Sequence, residues 1–138
     1  MNDEILKKIP TALRWVLFFP TAILGMLVGT FLWNTAAGWG MTSQGVDPES
    51  FWSLFLINTS GSAISAFCFV YSGAFVAPES KKTISICLGV FAMILGLTLL
   101  LWSILRGDSG IGWIIVAELS FMVGAGLGIY ACHPDRSN

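Results

Sequence analysis

Lys81-Lys82, then TISICLGVFAMILGLTLLLWSIL over residues 83–105, then Arg106: this stretch decides the fold. No charged side chain falls between its flanking cations. A helix that crosses a membrane needs about 20 mostly apolar residues, because the hydrocarbon core is roughly 30 Å thick and each residue rises about 1.5 Å. Three more stretches repeat the pattern. Trp15 to Val46 carries no charge, its apolar part ending near Asn34, and Ser50 to Pro78 is uncharged. From Ser109 to Cys132 only Glu118 interrupts. The spacing predicts helices over 11–35, 48–77, 81–105 and 109–132. Charged residues make up 11% of the chain and mean hydropathy is +0.78, against roughly 25% charged residues in a soluble domain. Soluble core helices of this length keep a charged face, and these do not. The expected fold is all-α: a transmembrane bundle of four helices in a single membrane domain over residues 1–138, with no soluble domain.

Orientation follows from the cations near the span ends. Lys7, Lys8 and Arg14 precede the first span, Lys81 and Lys82 lie in the second connection, and Arg136 lies in the tail. Four spans place all six on one side. The other side has only Arg106, with Asp47 and Glu49 in the first connection. Both termini are therefore expected in the cytoplasm, with the chain integral to a bacterial inner (plasma) membrane. Trp33, Trp39, Trp52, Trp102 and Trp113 fall near the outer boundary, while Trp15, Tyr71 and Tyr130 lie toward the inner one. Indole and phenol rings favour those headgroup zones. The first span is too long for the apolar region of a cleavable signal, and no small-residue cleavage site follows it, so it is expected to be retained.

Several classes of chemistry find no support. Cys68, Cys87 and Cys132 form no CxxC arrangement and are expected to be apolar filler rather than disulfides or zinc ligands. A net charge of −1 offers nothing to nucleic acid. There is no Ser/His/Asp set, HExxH, P-loop or paired carboxylate, so no catalytic, cofactor-binding or metal residue is expected and the chain is not read as an enzyme. His133 reads as an interfacial residue. Asn58-Thr59-Ser60 matches a glycosylation sequon only formally, because it lies inside a span.

Asp47-Pro48-Glu49 has the form of a helix start, with an Asp cap and Pro at the first helical position. Asp108 or Ser109 could cap the fourth helix similarly. Short second and third connections make the last three helices antiparallel sequence neighbours. The first connection, about 36–46, reads as a solvated linker with the only room for an extramembrane binding loop. MNDEILKKIP could form an amphipathic turn or two on the inner surface.

Lipid tails are as apolar as Leu, so membrane helices associate by close approach at small residues and by interhelical hydrogen bonds. Each span offers such a stripe: Ala22, Gly25 and Gly29; Ser85, Gly89, Ala92 and Gly96; Ala117, Ser120, Gly124 and Gly128. In the second span Asn58, Ser62, Ser65 and Ser72 share about one quadrant of a helical wheel. Partners are accordingly the lipid bilayer and, through these faces, a second copy or another membrane subunit. Pro20 is expected to kink the first helix.

Glu118 is the out-of-place residue. It lies near the bilayer midplane, where an acid costs about 2.5–3.5 kcal/mol on insertion scales, so it should face the bundle or be protonated. Asn58 lies at the same depth, roughly 12 Å in, and is the expected partner, with Ser62 one turn further. Glu118, Asn58 and Ser62 form the candidate intramembrane polar site. Arg14, about one turn inside the first helix, is expected to snorkel to the inner headgroups.

RWVLFFPTAILG, then FVYSGAFVAPESKK, then a Gly-rich final span resembles small four-span bacterial membrane proteins that have no established activity. Small multidrug resistance transporters also have four short spans, but their essential Glu lies in the first helix, which has no acid here. Membrane-associated eicosanoid and glutathione enzymes use Arg and Glu motifs that this chain lacks. Two functions follow. The favoured one is a structural or accessory subunit, in which Glu118 holds helices together. The alternative is a small proton- or cation-coupled transporter or channel subunit built on Glu118.

Overall fold

The computed structural model describes residues 11–47, 49–77, 81–107 and 111–132, which form four helices: α1 (Thr11–Ser43), α2 (Phe51–Val76), α3 (Lys81–Arg106) and α4 (Ile111–Ala131). All four are long and apolar enough to cross a membrane, and no strand occurs among the described residues. MNDEILKKIP with Lys7 and Lys8, Pro48, the candidate caps Asp108 and Ser109, His133 and Arg136 lie outside the described residues.

The first connection differs from expectation. Helix α1 does not stop near 35 but runs to Ser43, 33 residues in all, or about 50 Å of helix. Its small polar residues satisfy themselves within the helix: Thr35 donates to Phe31 O at 2.8 Å, Thr42 to Gly38 O at 2.9 Å and Ser43 to Gly40 O at 2.8 Å. The helix ends at Gly45, whose φ of 70° is left-handed and open to glycine. Val46 N–H returns to Met41 O at 3.0 Å and Gly45 N–H to Thr42 O at 3.1 Å, the paired bonds of a Schellman stop. The expected 36–46 linker is thus mostly helix. Pro20 lies inside α1 and the helix continues across it. In the same turn the Thr21 hydroxyl donates to Leu17 O at 2.7 Å, the kind of local bond by which membrane helices tolerate proline.

The start of α2 is displaced too. Ser50, not Asp47, is the N-cap, accepting from Ser53 N–H at 3.3 Å. Asp47 builds the turn before it: its carboxylate accepts from Glu49 N–H at 2.9 Å and its carbonyl from the Ser53 hydroxyl at 2.8 Å. An Asx turn competes with capping for the same carboxylate oxygen, and here the turn holds it.

Helix α2 is the hub and packs against all three others. Against α1 it runs antiparallel: Ala22 meets Gly73, Gly25 meets Ser72 and Gly29 meets Cys68. Thr30 and Ser65 share a hydroxyl bond of 2.5 Å across this seam, and Trp33 Nε1 donates to Ile57 O at 3.3 Å. Against α4 it runs parallel, with Gly124 on the Ala63 backbone and Gly128 on Val70 and Phe67 O. Helix α3 covers one side, with Gly89 under Ile129 and Gly96 under Glu118. The last three helices alternate in direction as expected, yet α2 and α4, which are not sequence neighbours, approach backbone to backbone.

Ala22, Ala66, Val70, Ala92 and Ala125 are almost completely buried, whereas Leu24, Phe31, Leu99 and Leu127 are exposed. The largest fully buried side chains are Val70, Ser53 and Ser85. This inverts the pattern of a soluble core for a physical reason. Lipid solvates a large apolar side chain as well as protein does, so the interior goes to residues that permit close approach.

Candidate functional site

The run Asn58-Thr59-Ser60-Gly61-Ser62 puts five small or polar residues in the membrane half nearer the α2 N-terminus. Gly61 is buried against Trp33 and Asn34 of α1. Successive residues turn by about 100°, so Asn58 and Ser62 leave on one side of the α2/α4 seam and Leu56 and Ser60 on the other. Opposite them α4 presents Ala117 on the first side and Val116 and Ser120 on the second. The two helices meet at Gly124, on the Ala63 backbone.

On one side a groove of about 580 Å³ is lined by Asn58, Thr59 and Ser62 of α2 and Trp113, Ile114 and Ala117 of α4, with Phe51 and Leu54 toward its end. A groove of about 320 Å³ lies on the other side, between Ser60 and Ala63 of α2 and Val116 and Ser120 of α4, and Thr59 lines both. An aromatic cluster closes the end of the pair: Trp113 lies 4.7 Å from Phe51 and 4.9 Å from Phe55 between ring centroids. A third groove, of about 390 Å³, runs over these rings. Ser62 donates to Asn58 O at 2.9 Å, and Ser60 donates to Leu56 O. Among the described residues neither the exposed Asn58 carboxamide nor the half-buried Thr59 hydroxyl has a protein hydrogen bond.

Glu118 points elsewhere, and the expected pairing with Asn58 is corrected. A Cβ placed on Gly96 of α3 would lie 2.8 Å from the Glu118 Oε2 and 3.5 Å from Phe121. The carboxyl is half-buried over Gly96 and makes no hydrogen bond among the described residues. The reason is angular. Ala117, Gly124 and Gly128 face α2, and a residue about 100° round from that stripe faces whatever lies beside α2, which is α3. The structure thus brings Asn58 and Ser62 together on one groove wall and leaves Glu118 on a different interface.

No family model, curated protein or solved structure matches the chain. The reading therefore rests on geometry.

Because Asn58 does not depend on Glu118, Glu118→Leu is expected to leave thermal stability in detergent unchanged or raised. Removing an acid from mid-depth removes a cost of about 2.5–3.5 kcal/mol on insertion scales. A fall in stability of about 1 kcal/mol or more would show that the carboxyl holds a bond of its own.

Arg14 is the residue whose role the sequence concealed. Instead of reaching for headgroups, its Nη2 donates to Ala77 O at 2.7 Å and its Nε to Val76 O at 3.2 Å. The last turn of α2 contains no basic residue, so its terminal carbonyls need an outside donor. A guanidinium there satisfies two carbonyls and meets the negative end of the helix dipole. A signal was available: a helix ending in FVAP without a cation, opposite an Arg at the matching depth of an antiparallel neighbour.

Lys81, the first residue of α3, has its Nζ 5.3 Å from the Phe75 ring centroid. With Arg14 it places cations at one end of the bundle, while Arg106 ends α3 at the other. Cys68, Cys87 and Cys132 are free thiols. No group of three or more His, Cys, Asp or Glu residues able to hold a metal occurs among the described residues.

Proposed function

We propose that this chain is a small multi-pass membrane protein that serves as a structural or accessory subunit rather than an enzyme, resident in a bacterial inner membrane. The observation that supports this over a Glu118-centred transporter is the position of that carboxyl. Ion or proton coupling needs an acid that meets a cavity, and among the described residues Glu118 packs on Gly96 and lines none of the three grooves described along α2 and α4. Extraction in polymer-bounded native membrane discs, followed by identification of what co-purifies, tests the reading. A stoichiometric partner subunit is expected. Isolation of the chain alone, together with pH-dependent flux in vesicles that Glu118→Gln abolishes, would replace it with the transporter.

We further propose that both termini and the Lys81-Lys82 connection face the cytoplasm. The six-to-one split of cations supports this, as does the clustering of Arg14 and Lys81 at one end, since cytoplasmic loops carry the excess of Lys and Arg. On a Cys-free background, Gln44→Cys should react with impermeant maleimide from outside intact cells and Ser137→Cys only after permeabilisation. The reverse pattern would invert the topology.

A further inference from the structure

We propose that the groove between α2 and α4 binds an uncharged, membrane-soluble molecule bearing a carbonyl or hydroxyl group, held by the Asn58 carboxamide and the Thr59 hydroxyl. Four observations converge on that ligand class. The first is size: about 580 Å³ lies within the roughly 300–1,000 Å³ of small-molecule sites.

The second is charge. No Lys, Arg, Asp or Glu lines the groove, so a charged ligand at this depth would be left unpaired. The third is hydrogen bonding. The carboxamide brings two N–H donors and one acceptor and the hydroxyl can do either, and neither is bonded to protein among the described residues. An amide left unpaired in an apolar medium is costly, so an occupant that bonds it binds preferentially.

The fourth is depth. Asn58 lies about 12 Å along α2 from Ser50. The polar groups of an ordinary phospholipid stay near the headgroups, and its acyl chain would leave the amide unsatisfied. A molecule with its polar group set within an apolar body matches instead, its body against Leu54, Ile114 and the Trp113 ring. A small ligand held within the membrane goes beyond the accessory-subunit reading and does not depend on it.

The test uses the full chain in lipid nanodiscs and a 4-alkylbenzophenone, an uncharged ketone whose carbonyl is both the hydrogen-bond acceptor and the photoreactive group. Irradiation should give saturable adducts within 51–62 and 113–117, competed by an excess dialkyl ketone but not by the alkane of equal length. Asn58→Leu with Thr59→Val should lower labelling about fivefold or more, since each lost hydrogen bond is worth close to that factor. Ala117→Phe, which fills the groove from the opposite wall, should abolish labelling independently. Adducts spread evenly over lipid-facing helix surfaces, equal competition by the alkane, or undiminished labelling in both variants would overturn the proposal. So would a change of oligomeric state in the Asn58 variant, which would make a second copy the occupant.

Discussion

Gly124→Leu should lose the folded bundle, while Gly126→Leu, two residues along the same helix, should keep it. A Cβ at Gly124 would fall onto the carbonyl and Cα of Ala63, whereas nothing lies within 4 Å of one at Gly126. Rotamer changes relieve clashes with the far ends of side chains, but here the obstacle is the backbone of α2. Relief requires the two helices to separate along the whole α2/α4 seam. Overpacking usually costs about 1–3 kcal/mol and occasionally more, and a backbone clash at the hub belongs at or above the top of that range. Separation also loses the neighbouring contact of Gly128 with Val70, where an added Cβ would lie 2.9 Å away. Thermal unfolding in detergent, followed by size-exclusion retention, distinguishes the two variants. Equal midpoints for both would mean that the α2/α4 contact does not hold the fold together.

Arg14→Leu should destabilise the bundle by at least about 1.5–3 kcal/mol, the usual worth of one hydrogen bond involving a charged group. Two such bonds are lost, and the carbonyls of Val76 and Ala77 are left with fewer donors at the end of α2. Arg14→Lys should recover part of the loss, because an ammonium keeps the charge but cannot reach two carbonyls in the fixed fork of a guanidinium. The effect should be local before it is global. Amide exchange near the α2 C-terminus should accelerate in Arg14→Leu, while exchange in the Gly89–Ile129 contact region of α3 and α4 stays unchanged. Uniform acceleration would place the role of Arg14 in global topology rather than in capping. Wild-type stability would mean that solvent replaces the guanidinium at no cost.

The candidate site was legible in unequal parts. Asn58 and Ser62 could be placed on one face of α2 because 3.6-residue periodicity is a property of one helix. The 100° offset of Glu118 from the Ala117/Gly124/Gly128 stripe was equally readable. What filled that direction was not, since it depends on where α3 stands relative to α2, and the expected Asn58–Glu118 pairing assumed α2 there. Arg14 misled for a related reason. Near a span end, snorkelling is the default for an isolated helix, and the competing acceptors belong to another helix 62 and 63 residues away in sequence.

The sequence alone carried what depends on one stretch of chain at a time. It marked the four spans, because transfer into hydrocarbon is close to additive along a helix. It marked the small-residue faces, because Gly25, Gly89, Gly96, Gly124 and Gly128 recur at helical spacing. Tertiary structure decided the pairing of those faces: α2 as hub, with the parallel approach of α2 and α4 standing beside the α1/α2 seam and ahead of either contact with α3. Local signals with two outcomes resolved through bonds within a few residues, so that Asp47 formed a turn and Ser50 the cap, and α1 ran on to Ser43. With little hydrophobic force between helices in lipid, pairing depends on how closely two backbones can approach and which hydrogen bonds they complete. Both are properties of two surfaces together, and neither surface carries them alone.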